Sequence, residues 1–284
     1  MFSKPSPDLL SLNTATVRVQ WDLEQIIEAC ARHQIRGIAP WRDQMTKLGL
    51  KGTVQRIRDA GLRVSGHCRG GMFTAPDRES RQAALEDNRR AVDEAVELGA
   101  ACLIMVVGGL PKSADGLVSK DIGGARQMVR DGLAELLEYS RAAHMPLAIE
   151  PLHPLYAGER ACVNTLEQAN DLCDELGEGT GIAVDIYHVW WDPKLKSQIE
   201  RAARSGQNRI LAFHVSDWLV PTTDVLNDRG MMGDGVVNIP LVRSWVEAAG
   251  FKGMHEVEIF STRWWKCAGD EVLATCKQRH QEYV

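Results

Sequence analysis

The sequence predicts a (β/α)8 barrel of the TIM type, a single domain over residues 1–284, and two observations carry that prediction. Eight short apolar runs recur along the chain, each followed by a segment long enough to form a helix. Several helical stretches also end at a glycine just before the next apolar run, at Gly61, Gly99 and Gly250. Glycine closes a helix there because it adopts the left-handed conformation without steric cost. Alternating strands and helices imply a parallel sheet, since each parallel crossover needs a helix-sized connection. An open doubly wound sheet is the competing architecture. It is disfavoured because VVGGLP, after the fourth run, is not the G-x-G-x-x-G turn of a dinucleotide site.

The elements follow in order. LLSLN (9–13) is the first strand, and LEQIIEACARH (23–33) returns the chain as an amphipathic helix to RGIAP (36–40). Gly61 precedes the third strand, RVSGH (63–67), and RQAALEDNRRAVDEAVELG (81–99) leads to the fourth, CLIMVVG (102–108). VRDGLAELLEYSRAA (129–143) precedes PLAIE (146–150), and TLEQANDLCDELG (165–177) precedes GIAVDIYHV (181–189). RILAFHV (209–215) is the seventh strand. IPLVRSWVEAAG (239–250), HEVEIF (255–260) and EVLATCKQRHQ (271–281) complete the pattern.

Composition narrows the class of partner. The 284 residues are 44% hydrophobic and 25% charged, as expected of a soluble globular protein. A net charge of −5 argues against a nucleic-acid or anionic-membrane surface, which would need a basic stripe. No stretch approaches a membrane span, and MFSKPSPDLL lacks the apolar region of a signal peptide. Seven cysteines, an odd number without a C-x-x-C pair, suit reduced, buried thiols, so a cytoplasmic protein is expected.

Strand ends carry the chemistry. In such a barrel they point into one shared mouth. From the fifth strand onward they present Glu150, Asp185, His214 and Glu258, at intervals of 35, 29 and 44 residues. Clustered acids repel one another, so a buried group of three carboxylates and an imidazole at one depth needs a cation. This mostly oxygen set predicts one divalent ion, Mn2+ first, then Mg2+ or Co2+, with catalytic Zn2+ also compatible.

AIEPLHP, VDIYHVWWDP, AFHVSDW with RGMMGDGVVNIP, and GFKGMHEVEIF resemble the successive motifs of the sugar (phosphate) isomerase/epimerase superfamily. That superfamily has a xylose isomerase-like barrel and includes ketose 3-epimerases and inosose isomerases. The likeness runs from about residue 9 to 265. It implies that Glu150, Asp185, His214 and Glu258 bind one divalent metal, and that His188 and Arg229 hold substrate oxygens. Glu256 is expected on the side of its strand opposite Glu258. The glycines of DRGMMGDG (228–235) are expected to bring irregular chain close to a ligand, with Arg229 on an exposed loop. Trp41, His67 and Arg69 are expected at the rim. Trp190, Trp191 and Trp218 would either form an aromatic wall for a sugar ring or simply pack together.

The expected activity is metal-dependent isomerisation or epimerisation of a sugar or keto-sugar, with Glu150 and Glu258 moving a proton next to the carbonyl. A second activity would keep the site and expel a β-leaving group from a 3-keto-glycoside. The chain would then resemble the catalytic subunit of C-glycoside deglycosidases, with His153 as base and a small β-sandwich partner subunit. A DNA-repair nuclease resembling endonuclease IV would need three zincs and a basic track, neither of which is evident. A metal-bound binding subunit without catalysis is the fourth option. The expected partner is a small carbohydrate, unphosphorylated because no Lys/Arg phosphate cradle shows in the sequence, and the assembly a homo-oligomer.

Overall fold

The structure, a computed structural model, describes residues 2–204 and 208–284. Among these, the barrel strands are β1 (Leu10–Asn13), β2 (Gly37–Ala39), β3 (Arg63–Val64), β4 (His67–Gly71), β5 (Leu103–Val106), β6 (Leu147–Ile149), β7 (Thr180–Asp185) and β8 (Ile210–Val215). Two short strands, β9 (Asp217–Trp218) and β10 (Arg229–Gly230), pair antiparallel beside the barrel, and β11 (His255–Val257) is its last strand.

The barrel strands are all parallel, in the order β3-β2-β1-β11-β8-β7-β6-β5-β4. A parallel bridge between Trp41, just past β2, and Cys68 of β4 brings the two ends of the sheet together. The predicted third strand is therefore two pieces. Arg63–Val64 pairs with β2, and after Ser65 and Gly66 the chain resumes at His67 to pair with β5.

Helices α1 (Leu23–Arg32), α2 (Gly49–Asp59), α3 (Arg78–Leu98), α4 (Ile122–Ala142) and α5 (Leu166–Leu176) connect the earlier strands. The later ones are α6 (Ile186–Val189), α7 (Leu195–Arg204), α8 (Ile239–Ala248) and α9 (Gly269–Tyr283). Gly61, Gly99 and Gly250 all have positive φ, as the helix-closing role requires. Helix α4 starts seven residues ahead of the pattern. Asp121 caps it through the Gly124 amide, and Gly123 and Gly124 disguise its first turn as a loop.

Strand alternation separates two apolar layers. Leu10, Leu12, Leu103, Met105, Leu147, Ile149, Ile182, Val184, Phe213, Val215 and Val257 face the helices and belong to the main core. The opposite face holds a separate cluster of Cys68, Cys102, Ile104, Ala148, Ala183 and Ala212 inside the ring. Two residues beyond each of these alanines, on the same inward face, stand Glu150, Asp185 and His214. Small side chains one layer down thus leave room for a polar layer above. The seven cysteines are all free, six of them buried. Among the described residues, no helix is long and apolar enough to cross a membrane.

Candidate metal centre

Each ligand candidate is placed by a strand end. Glu150 follows the last residue of β6, its amide bonded to the Met105 carbonyl at 3.2 Å, and Pro151 ends the strand pairing. Asp185 ends β7 and caps α6, its Oδ1 accepting the Tyr187 amide at 2.8 Å, which leaves Oδ2 for the site. His214 is the register partner of Asp185 on the next strand. Glu258 lies just past β11.

All four are buried, and one ligand atom from each lies within 4.8 Å of the others. His214 Nδ1 and Glu150 Oε1 are 3.1 Å apart without making a hydrogen bond, and both atoms lack any partner. Burial pushes the Glu150 carboxyl up to about 7, with Glu258 and Asp185 adding to the rise and His214 opposing it. Burial also opposes charge on His214, but the carboxylates of Glu256, Glu150 and Glu258 outweigh it and hold the imidazole well above its usual range. Orphaned buried donor atoms among crowded acids are what a divalent cation would satisfy, so the residues fit a metal.

Arg229 is not the exposed loop residue expected from the sequence. It is 4% exposed, and its Nη1 donates to Asp185 Oδ2 at 3.1 Å and to Glu258 Oε2 at 3.0 Å. The guanidinium carbon sits 4.5 Å from the Tyr187 ring centre and 5.3 Å from that of Phe260. Pairing of β10 with β9, and an amide bond to the Phe260 carbonyl, hold its backbone there. The loop glycines serve this architecture rather than a ligand. Asp217 accepts the amides of Gly233, Gly235 and Val237 at 2.9–3.0 Å, and a Cβ at Gly235 would meet the Trp218 carbonyl.

Glu256 also departs from expectation. Positions two apart on a strand share a face, so Glu256 points inward with Glu258, one layer deeper. Asn13 Nδ2 bridges them, donating to Glu256 Oε1 at 2.8 Å and Glu258 Oε1 at 3.0 Å. Ser65 donates to the other Glu256 oxygen, and His214 Nε2 lies 3.5 Å from Oε1. Glu256 therefore faces the far nitrogen of His214 at ion-pair distance without a hydrogen bond, on the side from which outer carboxylates back metal-binding imidazoles.

Above the ligands opens a narrow cavity with about 30 Å3 of room for water-sized molecules. Its wall includes Trp41, Arg69, Tyr156, Arg160, His188 and Phe260, together with Glu150, Glu258 and Arg229. Burial drives His188 down to about 3, so it is neutral, with Asp185 only partly opposing. Arg229 Nη2 donates to its Nε2 at 3.2 Å, which places the ring proton on Nδ1, a buried donor without a partner.

Three expected contacts lie elsewhere. His67 faces the helix layer, its Nε2 3.2 Å from Glu94 of α3, and Cys68 takes the inward position next to it. Trp191 donates to the His188 carbonyl and meets the His153 ring edge-on, and neither side chain lines the cavity. His153 stacks on Trp218 at 4.7 Å, and burial lowers its pKa. The structure thus leaves the elimination chemistry without its candidate base at the metal ligands. Trp218 and Trp190 pack on each other, and Trp218 also packs on Tyr187. Asn13, Tyr156 and Arg160 were missed. Asn13 ends the first apolar run as Glu150 ends the fifth, so the same rule would have found it.

Known proteins share this architecture. An inosose isomerase of Bacillus velezensis is 21% identical over 284 residues, covering 97% of this chain and 96% of that protein. The crystal structure of protein SMc04130 from Sinorhizobium meliloti 1021 is 54% identical, with a TM-score of 0.94 over 98% of this chain and 99% of that one. The IOLI protein, solved with a bound zinc atom, has a TM-score of 0.80 at 18% identity, covering 97% and 99% of the two chains, a likeness of fold. The family model for xylose isomerase-like TIM barrels matches residues 27–278. The chain belongs to the xylose isomerase-like TIM barrel family.

Proposed function

We propose that the protein is a divalent-metal-dependent isomerase or epimerase of a sugar or keto-sugar, working by proton removal next to a carbonyl. The observation that carries this is the convergence of Glu150, Asp185, His214 and Glu258 beneath a small polar cavity. The wall of that cavity mixes charged, hydroxyl-bearing and aromatic side chains, which suits the polar and apolar faces of a sugar. The likeness to an inosose isomerase supports the same class of substrate. Mn2+ is the ion we propose, since three carboxylates and one imidazole are mostly oxygen donors. Zinc, which IOLI holds, and Mg2+ or Co2+ are accepted by the same set.

A divalent ion held by these four residues would supply Lewis acidity to a carbonyl and an adjacent hydroxyl oxygen, favouring an enediolate. The two glutamates are not equivalent. Both Glu258 oxygens accept hydrogen bonds, from Asn13 and Arg229, whereas Glu150 Oε1 has no partner. Glu150 is therefore assigned as the first base and Glu258 as the group facing it. His188 Nδ1–H donates to a substrate oxygen, while Arg229 keeps Asp185 and Glu258 in position. Trp41 and Phe260, packed edge-to-face at 5.4 Å, limit water at the reacting carbon.

Incubating the Mn2+-loaded protein in D2O with inososes, ketohexoses and 3-keto-glucosides tests the proposal. The substrate should acquire deuterium on the carbon next to the carbonyl, read by NMR. Turnover without deuterium would instead indicate hydride transfer or return of a shielded proton, and would remove Glu150 from the role of an exchanging base.

A further inference from the structure

Of the three arginines in the cavity wall, Arg229 is committed to Asp185 and Glu258. Arg69 and Arg160 are not committed. Among the described residues, neither guanidinium has a hydrogen-bond or ion-pair partner, and the contact recorded for Arg160 is the Tyr156 ring, 5.7 Å from its guanidinium carbon. Both side chains are half-buried and line the same cavity as Glu150 and His188. Burial, and then the nearby charge of Arg160, lower the pKa of Arg69, as expected of like charges drawn together.

Their backbones are fixed. Arg69 lies within β4 at an irregularity in the ladder, held between Cys68 and Gly70, which pair with Ile104 and Met105 of β5. The Arg160 carbonyl accepts the Gly108 amide, and the next residue, Ala161, bridges to Gly108. Tyr156, in the same wall, has a buried hydroxyl without a partner. Two fixed guanidiniums and a free hydroxyl around one opening make a cradle of donors without an acceptor. Guanidinium forks match carboxylate and phosphate oxygens, and an oxyanion between them would relieve their repulsion and satisfy the donors.

We propose that Arg69 and Arg160 form an anion subsite at the mouth, so that the substrate is a keto-sugar carrying a carboxylate or phosphate away from the isomerised carbonyl. This rests on the keto-sugar function proposed above, and it revises the expectation of a neutral substrate.

Isothermal titration calorimetry on the full Mn2+-loaded chain, at fixed ionic strength, tests it with D-fructose, D-fructuronate (its carboxylate at C6, away from the C2 carbonyl) and D-fructose 6-phosphate. One of the charged sugars should bind about tenfold or more tightly than D-fructose, the scale of a hydrogen bond to a charged group. The one that gains more identifies carboxylate or phosphate. Arg69→Met with Arg160→Met should abolish the gain, so that charged and neutral sugars bind alike, while the double lysine variant keeps part of it. Equal binding of charged and neutral sugars, or a gain that survives in the methionine variant, overturns the subsite and leaves the keto-sugar function standing. Inorganic phosphate and acetate are titrated alone as well. Binding of either to the wild type but not to the methionine variant, with no sugar bound, would keep the subsite and overturn the keto-sugar function. Absence of both sugar and anion binding overturns both.

Discussion

Replacing Arg229 by methionine removes the one cation that, among the described residues, touches both Asp185 and Glu258, while keeping much of the side chain's apolar bulk. In the structure Nη1 donates to Asp185 Oδ2, Glu258 Oε2 and the Glu258 carbonyl at 3.0–3.3 Å, all buried. Without it two buried carboxylates face each other uncompensated, and breaking a buried pair in this way costs about 3–5 kcal/mol. Urea unfolding followed by tryptophan fluorescence should show that loss in metal-free protein. A divalent ion then acts as a replacement cation. At a hundred times its dissociation constant a ligand adds about 2.7 kcal/mol to any folded protein. The variant should gain more than the wild type at the same Mn2+ concentration, because Arg229 no longer repels the ion or competes for two of its ligands. The gap between variant and wild type should therefore narrow on adding metal. A metal-free variant within about 1 kcal/mol of wild type, the range of an unremarkable surface change, would refute the compensating role. So would a gap that metal leaves unchanged.

Glu150→Gln preserves shape and one coordinating oxygen but cannot carry a proton. Steady-state assays on the metal-loaded variant should show turnover reduced about 10²–10⁴-fold, the scale of general acid–base catalysis. Unimpaired turnover would leave Glu150 a ligand only. Because metal-free Glu150 keeps its proton up to about 7, the ion must displace that proton to bind. His214, held above its usual range, must give up a proton as well, so metal affinity should rise steeply with pH up to 7 and go on rising above it, measured by competition with a chelating dye. The stability effect has the opposite sign. A carboxyl whose folded pKa lies above its ordinary value of 4.5 binds its proton more tightly when folded, so metal-free protein should lose stability relative to metal-free Glu150→Gln as pH rises from about 4.5 to 7. A stability difference between the two proteins that stays constant over that window would contradict the shift.

How much of this was legible depends on the physical signal each feature leaves. Barrel strands and long helices announce themselves by period, and strand ends by the polar residue after an apolar run, so Glu150, Asp185, His214 and Glu258 were readable in one dimension. His67 was misplaced because the third strand breaks at Ser65 and Gly66, and the face of each residue in a broken strand cannot be counted from the one before. Glu256 was misplaced for a simpler reason. The period of two puts it beside Glu258, and its deeper position only makes sense once Asn13 and Ser65 are seen to satisfy it. Arg160 lies in an irregular loop with no periodicity, and only the bridge from Ala161 to Gly108 brings it to the mouth. Burial of Arg229 likewise depends on the long-range pairing of β9 with β10.

The central claim is that Glu150, Asp185, His214 and Glu258 hold one divalent ion above Glu256. A crystal of the protein soaked in Mn2+ and measured at a wavelength with strong manganese anomalous scattering tests it directly. The account predicts one anomalous peak per chain, bonded to the carboxylates of Glu150, Asp185 and Glu258 and to Nδ1 of His214, and absent from crystals of His214→Ala soaked alike. A peak at other residues, or none at full Mn2+ occupancy in solution, would contradict it.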